Sequence, residues 1–157
     1  MLDKSKRNFF RRVTSPFKSF LYPPYYKKKE DFLNCIECNE KACVKACPEK
    51  IIKLNNEIPI LNFAFNGCTF CDECAKACGK VLKTEYKKNK INAEFIINTR
   101  KCLAWNNTIC YSCQDICEKE AIIYKGMFNP VIDLDKCTAC GFCIGVCPND
   151  SIELIVK

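Results

Sequence analysis

The chain has 157 residues, of which 16 are cysteine and none is histidine, and its formal net charge is +7. Without imidazole there is no histidine base, no histidine zinc ligand and no Rieske-type iron ligand. Cysteine at about one residue in ten, far above ordinary usage, leaves three uses: a disulfide framework, structural zinc or iron–sulfur clusters.

Residues 1–30 read as a basic, aromatic arm. They hold nine Lys/Arg and two Asp/Glu, whereas residues 31–157 hold sixteen of each, so the whole excess of +7 lies in the arm. Phe9, Phe10, Phe17, Phe20, Tyr22, Tyr25 and Tyr26 are interleaved with those charges. A purely solvated tail rarely carries so many aromatics. The arm reads as a solvated terminus, as a docking element for an acidic partner surface, or as a segment whose aromatics fold back onto the chain's own core. The arm lacks any nucleic-acid recognition module, so no nucleic acid is expected. Ser5–Arg11 comes close to a twin-arginine export signal, with Lys6 in place of one arginine. Arg11, Arg12, Ser15, Pro16, Lys18 and Ser19 interrupt any apolar run that a secretory signal would need. No stretch approaches the roughly 20 apolar residues of a transmembrane segment. The expected location is the cytoplasm, where thiols stay reduced, which sets the disulfide reading aside.

Residues 31–88 open with a first cysteine group, Cys35, Cys38, Cys43 and Cys47, spaced x2, x4, x3 and followed by Pro48. Two short apolar runs around Asn55-Asn56 then read as a β-hairpin. A second group follows, Cys68, Cys71, Cys74 and Cys78, spaced x2, x2, x3 with Gly79 after it. Val81–Tyr86 reads as a closing strand. Residues 89–157 begin with a β-forming stretch, Ile91–Lys101. The third group is Cys102, Cys110, Cys113 and Cys117, spaced x7, x2, x3; the fourth is Cys137, Cys140, Cys143 and Cys147, spaced x2, x2, x3 and followed by Pro148. Between them lies a hairpin turning at Gly126, and a terminal strand follows Pro148.

The spacing chooses between zinc and iron. Structural zinc takes well-separated C-x2-C pairs. The fourth group is the bacterial ferredoxin run C-x2-C-x2-C-x3-C-P, in which three thiolates reach one cluster and the fourth ligates another. Four groups of four use every cysteine. The expected fold class is therefore α+β: two tandem bacterial-ferredoxin-like modules, at residues 31–88 and 89–157, with short helices and small antiparallel sheets around up to four 4Fe–4S clusters. Two ligation schemes remain. In one, Cys35, Cys38 and Cys43 share a cluster with Cys78; Cys68, Cys71 and Cys74 with Cys47; Cys102, Cys110 and Cys113 with Cys147; and Cys137, Cys140 and Cys143 with Cys117. In the other, the first group pairs with the fourth and the second with the third; the hairpins inside each module favour the former. Ile36, Phe70, Phe142, Ile144 and Val146 are expected to pack around the clusters and exclude water. No acid–base constellation is visible, and fully cysteine-ligated clusters leave no open iron, so the chain is not read as an enzyme. Each oxidised cluster with four thiolates carries roughly −2, which makes the loaded core acidic beside a basic arm.

The chain resembles the NapF family of ferredoxin-type proteins from periplasmic nitrate reductase systems over nearly its full length. The resemblance rests on Pro23-Pro24 followed by Tyr25, on Cys68-Thr-Phe-Cys71-Asp-Glu-Cys74-Ala-Lys-Ala-Cys78, and above all on Cys102-Leu-Ala-Trp105, Cys110-x-x-Cys113-Gln-Asp-x-Cys117 and Ala121-Ile-Ile123. The x4 gap before Cys43 and Gly79 after Cys78 depart from the family pattern. The resemblance implies a cytoplasmic accessory protein that assists maturation of the catalytic subunit NapA before export. The residues by themselves reach only an electron-transfer polyferredoxin, which stands as the alternative.

With so little apolar core, the clusters must supply much of the folding free energy. Chelation or oxidation of the clusters should therefore abolish native circular dichroism and protease resistance together.

Overall fold

The computed structural model describes residues 20–156. The arm's charges up to Ser19, the twin-arginine-like stretch, and Phe9, Phe10 and Phe17 lie outside them. The described chain carries four one-turn helices, six strands in three two-stranded antiparallel sheets, and short 3-10 turns.

The first half starts with a 3-10 helix, Lys29–Cys35. Helix α1 (Ala42–Lys45), strands β1 (Ile52–Asn55) and β2 (Ile58–Leu61), and helix α2 (Glu73–Ala77) follow. The β1–β2 register pairs Ile52 with Leu61 and Asn55 with Ile58. Its two loop residues, Asn56 and Glu57, both have left-handed backbone (φ 46° and 65°). That is the pattern whose twist matches a hairpin, one residue later than the expected Asn55-Asn56 turn.

The second half runs β3 (Ala93–Ile97), the 3-10 turn Ala104–Asn106, α3 (Ser112–Asp115), β4 (Ile122–Lys125), β5 (Phe128–Ile132), α4 (Phe142–Gly145) and β6 (Ile152–Val156). The order is the one read from the sequence, and β6 returns to pair with β3 from Ile97↔Ile152 to Ala93↔Val156. Gly126 (φ 81°) turns the β4–β5 hairpin, and a bulge beside Tyr124/Lys125 shifts its register. Pro59 and Pro130 sit at corresponding places in the two hairpins, opposite Leu54 and Tyr124. In a two-stranded ribbon a proline nitrogen can face away from its partner strand.

The first half departs from expectation at its closing strand. Val81–Tyr86 is no strand; only a 3-10 turn forms, at Thr84–Tyr86. The reason lies in its partner. The segment beside it contains Pro23 and Pro24, which have no N–H to give to a ladder. Two isolated bonds remain, Leu61 N–H to the Leu21 carbonyl (2.8 Å) and Lys83 N–H to the Tyr25 carbonyl (2.9 Å). Leu21, Tyr22, Tyr25 and Tyr26 are buried there. Tyr22 stacks on Phe32 at 4.4 Å, and Tyr26 meets the same ring edge-on at 5.1 Å. The aromatics from Tyr22 to Tyr26 thus fold back on the core, as one of the sequence expectations had it.

The halves meet through glycines. A Cβ at Gly141 would fall 2.3 Å from the Phe63 ring, one at Gly67 would fall 2.5 Å from the Phe142 backbone nitrogen, and one at Gly145 would fall 2.5 Å from the Phe65 carbonyl oxygen. Beside them the Cys68 N–H donates to the Cys140 carbonyl at 2.7 Å, and Phe63 packs edge-on against Phe95 at 6.2 Å. Gly145→Ala should destabilise the holo-protein by about 1–3 kcal/mol, because the added methyl meets backbone that cannot rotate away. Gly79→Ala, with nothing within 4 Å of its Cβ, is the neutral control; thermal unfolding of both variants checks the contrast.

Candidate metal centres

None of the sixteen cysteines forms a disulfide. They gather by loop rather than by sequence group. Cys47 lies with Cys68, Cys71 and Cys74 around one cavity that also takes in Tyr25. Cys147 lies with Cys102, Cys110 and Cys113 around another. Cys117 lies with Cys137, Cys140 and Cys143 around a third, of about 650 Å³, which Cys68 also borders. Cys78 hydrogen-bonds Cys43, and Cys35 feels the charges of both Cys78 and Cys38. In every quartet the last cysteine of one copy stands among the first three of its neighbour, the arrangement of the first ligation scheme.

Left-handed backbone aims these thiols. Phe70 (φ 56°) and Ala139 (φ 55°) each precede the second cysteine of a C-x2-C pair, and Asp72 (φ 59°) and Gly141 (φ 90°) open α2 and α4. Lys50, Glu120 and Asp150, each three residues past the last cysteine of a copy, are left-handed too. The turn after the last cysteine brings the amide of the following residue onto the sulfur. Ala121 N–H reaches Cys117 Sγ at 3.4 Å and Ser151 N–H reaches Cys147 Sγ at 3.2 Å. Leu82 N–H reaches Cys78 Sγ at 3.3 Å at the same four-residue offset. Non-glycine residues in this region cost on the order of 1–3 kcal/mol each and persist where the surroundings dictate them.

The two irregular copies are anchored by side chains. The x4 gap before Cys43 contains Lys41, whose ammonium binds the Cys35 carbonyl (2.5 Å), the Glu57 carbonyl (2.7 Å) and the Glu57 carboxylate (3.1 Å). The x7 gap after Cys102 folds back through Asn106, whose amide donates to the Cys102 carbonyl (2.7 Å) and the Thr99 carbonyl (3.1 Å). Trp105 Nε1 donates to the Pro130 carbonyl at 3.0 Å.

Burial raises six of the thiols, Cys35, Cys68, Cys74, Cys113, Cys137 and Cys143. It pushes Cys35 and Cys68 up to about 11 and Cys74 up to about 12, and it raises Cys143 as well. The hydrogen bond from Cys43 pulls Cys78 down to about 5, helped by the backbone N–H groups of Leu82, Lys80 and Val81. At Cys147 burial works upward, but the Ser151 hydroxyl and nearby amides outweigh it and the net direction is down.

The donor set is sulfur only. A single zinc with Zn–S of about 2.3 Å needs four sulfurs roughly 3.8 Å apart. Among the described residues no three cysteine, histidine or carboxylate side chains converge on one ion in that way. Three of the quartets line cavities, and a set of four sulfurs with no other donor suits a group that spreads its thiolates over several irons. The Tyr25 hydroxyl supports that fit: it is buried beside Cys68 and Cys74, its oxygen takes the Asp72 backbone N–H, and its own proton has no acceptor. A cluster there would give its proton an acceptor. Of the apolar residues between cysteines, Phe70, Phe142 and Ile144 are half-buried as expected, whereas Ile36 and Val146 are 51% and 38% exposed and shield little. Sequence reading named Tyr25 only as an arm aromatic and motif residue, not as part of a site, and missed Lys41, Tyr124 and Ser151. Only Ser151 carried a local signal, as the one polar residue among four that stand four places past a last cysteine: Ile51, Leu82, Ala121 and Ser151.

Comparison with known proteins agrees. Residues 34–81 match the 4Fe-4S dicluster domain and residues 130–153 the 4Fe-4S binding domain, with the third copy lying between the two spans. The chain is 31% identical to the ferredoxin-type protein NapF of Escherichia coli strain K12, covering 96% of this chain and 94% of that one. It is 28% identical to the methylamine utilization ferredoxin-type protein MauM of Methylobacillus flagellatus, over 85% of this chain and 66% of that one. The chain thus has two ferredoxin-type domains and carries multiple 4Fe–4S clusters. Among the described residues no helix is long and apolar enough to cross a membrane.

Iron analysis of anaerobically purified protein should give about sixteen irons, four per four-cysteine site. Cys102→Ser and Cys147→Ser should each remove about four irons, and the double variant the same four. Loss of about eight in the double variant would mean that Cys147 serves a different site.

Proposed function

The chain belongs to the NapF family of ferredoxin-type proteins, and from that premise we propose that it is a cytoplasmic accessory protein of a periplasmic nitrate reductase system, acting on the catalytic subunit NapA before export. The observation that carries the reading is the near full-length match to a NapF protein, with all sixteen cysteines gathered into quartets. We take all sixteen as cluster ligands, and the chain as an N-terminal arm and two cluster modules. When bound, each 4Fe–4S cluster accepts and returns single electrons. The protein's part is to hold these groups, shield them and present them to a partner.

A second reading, an electron-transfer protein, has its own support. The quartets stand in series: Cys43 of the first feels Cys74 of the second, Cys68 feels Cys140, and Cys143 feels Cys113. The Cys68–Cys140 backbone bond holds the middle junction. A maturation factor adds to this series a stable contact with its client. The basic arm suits that contact, because the loaded core is acidic and the arm holds the whole formal excess of positive charge.

Capture of NapA by the purified holo-protein tests the reading. The truncation removes residues 1–19 only, since Leu21 to Tyr26 belong to the core. It should weaken capture while leaving cluster absorbance intact. Lys6, Arg7, Arg11 and Arg12 changed to glutamine should weaken capture and flatten its salt dependence, the Debye length being about 8 Å at physiological ionic strength. Phe9 and Phe10 changed to alanine should weaken capture with the salt slope unchanged. Undiminished capture by all three moves the docking surface to the modules; no capture by the parent leaves the electron-transfer reading in its place.

A further inference from the structure

In the third quartet, Cys102, Cys110, Cys113 and Cys147, a side-chain hydroxyl reaches a sulfur; Thr69 and Thr138 also line the fourth quartet's cavity, but the hydroxyl in hydrogen-bond contact with a last cysteine is that of Ser151. The third quartet's cavity is lined by three hydroxyl residues, Ser112, Tyr124 and Ser151. Ser151 Oγ lies 3.1 Å from Cys147 Sγ, and the Ser151 amide donates to the same sulfur at 3.2 Å. Ser112 Oγ lies 3.8 Å from Cys110 Sγ. The Tyr124 hydroxyl lies within hydrogen-bond reach of both the Cys110 carbonyl and the Cys113 sulfur, so its one proton can be given to either.

The internal repeat supplies the comparison. Ser151 stands four residues past Cys147. The same offset from Cys47, Cys78 and Cys117 gives Ile51, Leu82 and Ala121. All four positions are buried, at 3%, 1%, 1% and 3% exposure, and Ser151 is the buried polar residue of the described core. A buried hydroxyl in an otherwise apolar position needs a partner, and the partner here is a cysteine sulfur. In the free thiol either atom can donate. A sulfur bound to iron has lost its proton, so in the loaded protein Ser151 is the donor. The last cysteine of the neighbouring fourth quartet, Cys117, receives the backbone N–H of Ala121 instead, at 3.4 Å.

A hydrogen bond donated to a ligating sulfur favours the state with one more negative charge, and so raises the reduction potential. We propose that Ser151 and Tyr124, with Ser112, are potential-setting residues that place the third-quartet site above its neighbour, the Cys117, Cys137, Cys140 and Cys143 site. The series of quartets then has a direction, with an electron settling at the Cys102 end. One electron enters from a one-electron reductant, no bond forms or breaks and no proton is transferred. The second quartet has a hydroxyl of its own in Tyr25, two places away in the series, so the comparison is confined to the adjacent pair. This inference concerns the clusters alone and stands whether or not NapA is the partner.

The test is a potentiometric titration of the full-length holo-protein, followed by electron paramagnetic resonance, with iron counted in each variant. Ser151→Ala and Tyr124→Phe should each lower the midpoint potential of one and the same cluster, and their combination should lower it further. Ala121→Ser, which adds a hydroxyl at the matching place beside Cys117, should raise a different cluster. Unshifted potentials in Ser151→Ala at full iron content overturn the proposal. If Ser151→Ala sheds iron, Tyr124→Phe and Ala121→Ser decide, and unshifted potentials in both overturn it.

Discussion

The rest of the structure depends on one displacement: the last thiol of each cysteine run leaves its own loop and joins its neighbour's. Three thiols on a tight loop fix only that loop. Sending the fourth elsewhere ties Cys47 to the loop at Cys68 and Cys78 to the loop at Cys35, across chain segments that the small apolar core could not hold by itself. The one-turn helices follow from this, since each holds one cysteine, Cys43, Cys74, Cys113 or Cys143, and has only to end before the last cysteine of its copy four residues on. The two-stranded sheets follow as well, being the shortest route from one quartet to the next.

That arrangement loads the backbone. Left-handed residues at Lys50, Phe70, Asp72, Glu120, Ala139 and Asp150 bracket the cysteines, and few of them are residue types that favour the conformation. Their burden is offset where it arises, by amides brought onto sulfur and by metal ligation. The junction between the halves obeys a similar logic. Gly67, Gly141 and Gly145 remove the side chains that would keep the Cys68 and Cys140 loops apart, so the two inner quartets approach as closely as backbone allows.

Much of this was legible in the residues. Cysteine spacing marked the sites, and alternating apolar runs around turn residues marked both hairpins and the β3 and β6 strands. Their signals are local, carried by a few neighbouring side chains. Val81–Tyr86 misled because a strand needs a partner, and its partner's prolines stand some 60 residues away in the chain. Lys41 and Tyr25 were illegible for the same reason: each acts on cysteines or carbonyls brought near only by folding. Ser151 is intermediate. It looks ordinary in its own sequence, and becomes informative once the four copies are laid over one another.

The segment from Leu21 to Tyr26 also has a place in time. It leaves the ribosome before the residues that bond to it, Leu61 and Lys83. At about 5–20 residues per second, Lys83 follows Tyr25 by roughly 3–12 seconds. Until Leu61 and Lys83 emerge, the Leu21 and Tyr25 carbonyls wait without their donors, and Cys35, Cys38 and Cys43 wait without Cys78. The earliest-made piece of the first domain is thus among the last to be secured, and cluster delivery to the first quartet cannot be completed on a nascent chain shorter than Cys78.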